Sequence, residues 1–407
     1  MDYFMIDYKF SYSKCFIFFV ISWCLFLYKN KDDKQEELFW NNERFNLSLI
    51  RDEVQTYFNY DHDHVHISSL NLQKFEEVKN PKISLIVPIF NQEKNILSFY
   101  MSIYNQSLKD IEIIFINDAS TDHSCKIIEQ LMENDKRIVL LRNESDKRTF
   151  YQKTKGIFKS RGEYVLILEP DDFLLNNILE KSYETAKKNN LDILQYYLLI
   201  GNNKVNRVWE NLKCQSGIIH DRQVKKFFYN CPSKNMLDKL IKRQTFIKAM
   251  RYFIEEYNDD RFDYSDDDLT FFGLSQVTES YGFLEEIGYF YNLQTPWETT
   301  RKIYKNKNIN RIFLKFMNIM KNFLKRTQKS RKEKLWGYKF FIDKLYNLRD
   351  KLQYLDKHFD YFNNVLDRYL RSKYFTKEEK QKITFFKDEV NRIKMLKMNN
   401  TVNVTKL

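Results

Sequence analysis

Three short acidic stretches carry most of the chemistry this sequence offers: Asn117-Asp118-Ala119-Ser120-Thr121-Asp122, Glu169-Pro170-Asp171-Asp172 and Asp266-Asp267-Asp268. Paired carboxylates are hard oxygen ligands for a divalent cation, and carboxylates crowded together raise one another's pKa toward the range of a general base. An Asp directly after a strand can accept from a pyrimidine N–H or a ribose hydroxyl. Each stretch also has a plainer reading: Asp118 as a turn residue, the Glu169–Asp172 run as the cap of a helix near Phe173, and the aspartate triplet as negative charge at a helix N-terminus. A fourth stretch, Asp61-His62-Asp63-His64-Val65-His66, would put three imidazoles on one face of a strand and offer a metal site; otherwise it is a solvated polar segment.

The elements that must position these residues follow from hydrophobic patterning. Apolar runs at 83–87, 111–116, 137–142 and 163–168 are short enough for strands and apolar enough to be buried on both faces. Helical stretches near 93–106, 121–134 and 148–160 separate them, the second opened by Ser120 or Thr121 as N-cap. Strand–helix alternation of this kind predicts an α/β fold with a mostly parallel sheet. In such sheets ligands sit beyond the carboxyl ends of the strands. Pro88-Ile89-Phe90-Asn91, Asn117-Asp118 and Glu169–Asp172 all fall at those ends.

Taken in order, ISLIVPIFN, IEIIFINDASTD and GEYVLILEPDDFL resemble the opening strand, the D-D-G-S-T-D turn and the G-E-Y-I-x-F-L-D-x-D-D motif of the family 2 glycosyltransferases. The resemblance covers about residues 81–300 and implies the GT-A fold, a Rossmann-like nucleotide-sugar-binding sheet flanked by helices. It further implies inverting transfer of a hexose-type sugar from a nucleotide donor, UDP for preference, with Mn²⁺ or Mg²⁺ as cofactor. Carried over by position, Pro88, Phe90, Asn91, Asp118, Lys153 and Asp171 would meet the nucleotide sugar, Asp118 at the base. Glu169, Asp171 and Asp172 would hold the metal, Asp171 most directly. The run FDYSDDDLTF resembles the family's acidic motif beside the acceptor, which makes Asp267, with Asp266 next, the expected base. MLDKLIKRQTF resembles a preceding segment, where Lys239 and Lys242 would meet acceptor or phosphate, or else form a solvated basic helix face. Among the departures from the pattern, Asn117 and Glu169 stand for Asp, Lys153 for Arg and Met236 for Trp.

Composition narrows the alternatives. The chain has 407 residues, 43% hydrophobic and 16% aromatic, enough apolar surface to offset the entropy of ordering, so a disordered chain is excluded. Only eight Gly and five Pro occur, and neither G-x-G-x-x-G nor a P-loop is present, so a nucleotide must be held by other means. The net charge of +12 suggests nucleic acid until it is divided: residues 301–407 hold 29 Lys+Arg against 10 Asp+Glu, leaving 38 against 45 for residues 1–300. An acidic body suits a metal-bridged anion better than a bare phosphate backbone, and no nucleic-acid partner is expected. The five cysteines show no zinc spacing, and a Cys214–Cys231 bridge would require an oxidising lumen.

Four segments are expected. Residues 1–28 read as an uncleaved membrane anchor. The charge-free run Cys15–Tyr28 would cover about 21 Å as a helix, and counting from Phe10 gives 19 residues, a plausible span. Residues 29–80 read as a polar stem, 81–300 as the catalytic domain and 301–407 as a basic helical extension. In that extension apolar residues recur at alternating spacings of four and three from Phe341 to Tyr369, which fits a helical hairpin or helix-mediated self-association. The last strand region, 282–294, reads as an aromatic strand pair. The expected partners are a nucleotide-sugar donor, a glycan, glycoprotein or glycolipid acceptor, and a membrane reached through the anchor. The expected location is a single-pass membrane position on the lumenal side of Golgi or endoplasmic reticulum. Two other functions fit the same residues: a catalytically silent sugar-nucleotide or glycan binder, and a scaffold acting through its basic tail.

Overall fold

The computed structural model describes residues 45, 47–60, 67–175, 177–202, 206–208, 217–230, 234–253 and 266–293, with scattered positions between 364 and 395. The expected anchor, the histidine segment 61–66, Cys214, Cys231 and nearly all of the extension lie outside the described residues. Among the described residues no helix is long and apolar enough to cross a membrane. The chain divides into two compact units, one of residues 1–142, 160–243 and 278–295, the other of 143–159, 244–277 and 296–407.

The first unit is built on a ten-stranded sheet. Its strands are β1 (Ile83–Ile89), β2 (Ile111–Asp118), β3 (Ile138–Asn143), β4 (Tyr164–Ile167), β5 (Phe173–Leu174), β6 (Ile193–Gly201), β7 (Asn206–Val208), β8 (Ile218–His220), β9 (Lys239–Lys242) and β10 (Ser280–Asn292). The order is β3-β2-β1-β4-β9-β6-β10-β5, with β7 on β6 and β8 on β10. β1 runs parallel to both β2 and β4, and β6 parallel to β10, while β9 is antiparallel to β4 and β6. Every residue of β1, β2, β4 and β6 is buried, as expected for strands covered on both faces by helices. The helices of this unit are α1 (Leu47–Phe58), α2 (Ile96–Tyr104), α3 (Ser124–Asn134), α5 (Ile178–Lys188) and α6 (Arg222–Asn230); α4 (Arg148–Lys159), α7 (Arg243–Arg251) and α8 (Asp266–Val277) belong mainly to the second.

The amino ends of β1, β2 and β4 are tied by one buried carboxylate. Glu112 accepts from the Ser84 hydroxyl and the Arg161 N–H, each at 2.5 Å, and from Arg161 Nε at 2.9 Å. The strands approach so closely here that a Cβ on Gly162 would stand 2.5 Å from Ser84 Oγ and 2.6 Å from its backbone nitrogen. Only glycine fits that approach. At the opposite end Pro88 lies beyond the last β1–β4 pair, Ile86 with Ile167. A residue without an N–H there ends the ladder and opens the carboxyl edge.

Three expectations change. Residues 47–60 and 67–80, read as stem, pack on the domain. α1 buries Val54 and Tyr57, and the rings of Tyr57 and Phe58 meet Phe173 at 5.5 and 5.1 Å. Phe75 bridges to Asp135 while the Arg137 guanidinium lies 3.6 Å over its ring, itself paired with Asp135 at 2.7 Å. Second, 280–292 is one strand rather than a pair: the Glu285-Glu286 step is an irregularity between Phe283 and Ile287, where the register with β6 shifts. Third, Lys239 and Lys242 sit on β9, not on a helix face. Lys239 is buried, its Nζ 2.6 Å from Asp238 Oδ1 and 2.5 Å from the Asn235 carbonyl.

Candidate active site

β2 and β4 flank β1, so their carboxyl ends open on the same edge of the sheet. Two inter-strand spacings separate them, about 10 Å of backbone, a gap that a diphosphate with a bound cation can span. Asp118 closes β2 and is 1% exposed; the Glu169–Asp172 loop leaves β4 directly after Leu168. Beside Asp118, Asn117 is 4% exposed and its Oδ1 has no hydrogen-bond partner among the described residues. A buried acceptor left unpaired costs about 1–3 kcal/mol, so the site keeps a place for a donor.

After Asp118 the chain turns at Ala119, whose φ of 58° is left-handed. This is where the family pattern has Gly. The turn is braced against the loop after β1. Asn91, at φ 53°, receives the Thr121 N–H on Oδ1 at 2.9 Å and donates its own N–H to Ser120 Oγ at 3.0 Å. Further along, the Gln92 N–H donates to Ser124 Oγ at 2.8 Å, the Glu93 N–H to Asp122 Oδ2 at 3.0 Å and the His123 N–H to Glu93 Oε2 at 2.9 Å. Asp122 Oδ1 also accepts from the Ser124 N–H at 3.0 Å, so the start of α3 is held by Asp122 and not by Ser120 or Thr121 as expected. Of the residues expected at the nucleotide, Asn91 therefore braces two loops and Pro88 is buried in β1, while Phe90 presents a 47% exposed ring at the edge.

In the acidic loop Asp172 is buried and both its oxygens accept: Oδ2 from the Tyr289 hydroxyl at 2.8 Å and Oδ1 from the Asn292 N–H at 2.8 Å. Burial, with Asp171 beside it, pushes its carboxyl well above the usual carboxylate range, and the two donors act against this. Glu169 and Asp171 are half-buried. The loop leads into β5, so the alternative of a helix cap near Phe173 falls away; α5 starts only at Ile178. Among the described residues no three His, Cys, Asp or Glu side chains converge on one point, so Glu169, Asp171 and Asp172 do not form a ready three-carboxylate cage. The donor set still fits a hard cation, which takes one or two carboxylates and completes its shell with water and substrate phosphate.

The second unit assembles another cluster. α8 opens with Asp266, Asp267 and Asp268, favourable charges at a helix N-terminus. Lys153 of α4, 7% exposed, reaches Asp266 Oδ2 at 2.9 Å and Asp267 Oδ1 at 3.3 Å. Desolvation pushes the Asp267 carboxyl up to about 6, with Asp266 and Asp268 adding to the rise and Lys153 opposing it. Its side chain is nonetheless 37% exposed, so water reaches it and a proton can be exchanged. α7 and α8 pack closely, a Cβ on Gly273 standing 3.1 Å from the Ala249 carbonyl.

Comparison with known proteins agrees with this architecture. Residues 84–262 match the model of the family described as Glycosyl transferase family 2. An uncharacterized glycosyltransferase of Haemophilus influenzae is 36% identical over 111 residues, 27% of this chain and 44% of that protein. Glycosyltransferase GlyG of Streptococcus pneumoniae is 33% identical over 117 residues, 28% of this chain and 39% of that protein. The chain thus spans less than half the length of these two relatives. An uncharacterized glycosyltransferase of Methanocaldococcus jannaschii, MJ1057, is 24% identical over 256 residues, 58% of this chain and 87% of that protein. Among solved structures, S. aureus TarS 1–349 in complex with UDP superposes with a TM-score of 0.54 at 13% identity, covering 78% of this chain and 92% of that one. Sheet order and strand direction together agree with a GT-A-like α/β fold. Over residues 84–262, somewhat less than half of its length, the chain is similar to glycosyltransferase family 2.

Proposed function

We propose that the chain is an inverting, metal-dependent glycosyltransferase that moves a hexose-type sugar from a nucleotide donor, UDP for preference, to a glycan, protein or lipid acceptor. The observation that carries this reading is the placement of Asp118 and Asp171 after β2 and β4, on either side of β1. Support for UDP comes from TarS, of like fold, which was solved in complexes with UDP and UDP-GlcNAc.

In this reading Phe90 stacks on the base while Asp118 and the orphaned Asn117 Oδ1 accept from its N–H and from the ribose hydroxyls. Asp171, assisted by Glu169, holds the divalent cation. When bound, that cation neutralises the charge that builds on the departing diphosphate. Asp267 takes the proton of the acceptor hydroxyl as its oxygen attacks the anomeric carbon and the bond to the diphosphate breaks. Lys153 keeps Asp266 and Asp267 together and in part ionised. The N-terminal apolar run serves as the anchor that keeps the enzyme at a membrane.

The test is a panel of UDP-sugars incubated with Mn²⁺ and the full chain, with release of UDP as readout. Turnover that disappears in both Asp171→Ala and Asp267→Ala is expected. Metal-dependent UDP binding with no turnover on any donor and acceptor would make the chain a silent binder. Loss of a binding partner on removing 301–407, with both site variants harmless, would favour the scaffold reading.

A further inference from the structure

The acidic loop is held by a residue that no motif points to. Tyr289 is wholly buried in β10, where the ladder to β5 pairs it with Leu174 and pairs Phe290 with Phe173. Its hydroxyl oxygen accepts the Glu169 N–H at 3.2 Å and its proton goes to Asp172 Oδ2 at 2.8 Å. The Asp172 N–H in turn donates to the Glu169 carbonyl at 3.2 Å. One phenol therefore bridges the first and last residues of a four-residue loop and leaves Pro170 and Asp171 as its tip. Behind it the Phe173 and Phe290 rings stack at 5.8 Å with 12° between their planes.

We infer that Asp172 is the anchor of this loop and not a cation ligand, and that Tyr289 is the positioning residue which, through Asp172 and the Glu169 N–H, presents Asp171 to the cation. This rests on the glycosyltransferase reading above. Asp172 is 2% exposed with a donor on each oxygen, which leaves no room around it for the phosphate and water oxygens that would complete a cation's shell. Partners that orient a ligand without touching the metal commonly set its affinity by about 10–100-fold.

The amide of Asp172→Asn can keep the clamp, its oxygen accepting from the Asn292 N–H and its nitrogen donating to Tyr289 Oη. Mn²⁺ affinity in the presence of UDP, followed by electron paramagnetic resonance and calorimetry on the full chain, separates the roles. Asp172→Asn should bind Mn²⁺ about as well as the parent, Asp171→Asn should lose binding, and Tyr289→Phe, folded by near-ultraviolet circular dichroism, should bind about 10–100-fold more weakly. In turnover, Tyr289→Phe should raise the KM for metal more than it lowers kcat. An Asp172→Asn defect as severe as that of Asp171→Asn would overturn the inference, as would parental Mn²⁺ affinity in Tyr289→Phe. If Tyr289→Phe fails to fold, the two aspartate variants decide between anchor and ligand. A parent chain that takes up no Mn²⁺ with UDP present would remove the glycosyltransferase reading itself and this inference with it.

Discussion

Lys153 Nζ lies 2.9 Å from Asp266 Oδ2, joining residues 113 positions apart. The same ammonium reaches Asp267, so the residue expected to take the acceptor proton is paired with a cation while its neighbours repel its charge. The balance leaves Asp267 titrating at about 6. A base must be deprotonated to act, so kcat/KM should rise with pH through about 6 and lie about tenfold below its plateau one unit lower. An acidic limb that persists unchanged in the residual activity of Asp267→Asn would assign the limb to another group.

Lys153 lowers the Asp267 pKa, so removing its charge must raise it. Lys153→Met should therefore move the acidic limb toward neutral pH, with the loss of rate greatest at low pH and least at high pH. A loss uniform across the profile would mean that Lys153 acts on the donor and not through Asp267.

The carboxyl edge was legible in the sequence because each strand leading to it is a short run buried on both faces, and the expected ends of β1, β2 and β4 fall within two residues of the observed ones. Asp118 and Asp171 could be placed by the rule that ligands sit beyond those ends. What lay hidden depends on partners far along the chain. The hold on Asp172 comes from Tyr289, 117 residues on, which no local pattern shows. The brace between Asn91 and Thr121, 30 residues on, is likewise invisible in the local sequence. Lys239 reads as solvated because nothing local shows that β4 and β6 enclose β9. Asp122 could have been found: an Asp two residues before the first helical residue is a common turn signal.

Glu112 joins three strands at the end of the sheet away from the candidate site. Glu112→Gln should lower stability by about 2 kcal/mol, since it weakens charge-assisted bonds to a partly exposed arginine. A lower unfolding midpoint in urea with unchanged turnover per folded molecule would bear this out, whereas a selective loss of turnover would give Glu112 a role beyond the fold.

Ala119 holds a left-handed φ of 58° at a turn beside Asp118. That conformation costs a non-glycine residue about 1–2 kcal/mol, part of which glycine returns through the greater entropy of its unfolded chain. Ala119→Gly should therefore stabilise by up to about 1 kcal/mol without loss of UDP binding. Destabilisation would show that the alanine methyl makes packing contacts worth more than the strain.

The most direct measurement of the central claim is a calorimetric titration of UDP into the full chain with and without Mn²⁺, repeated on Asp171→Asn and Asp118→Asn. The account expects UDP to bind with Mn²⁺ present, to bind at least about tenfold more weakly without it or in Asp171→Asn, and to weaken in Asp118→Asn whether or not Mn²⁺ is added. Equal affinity with and without the cation, or parental binding in both variants, would contradict it.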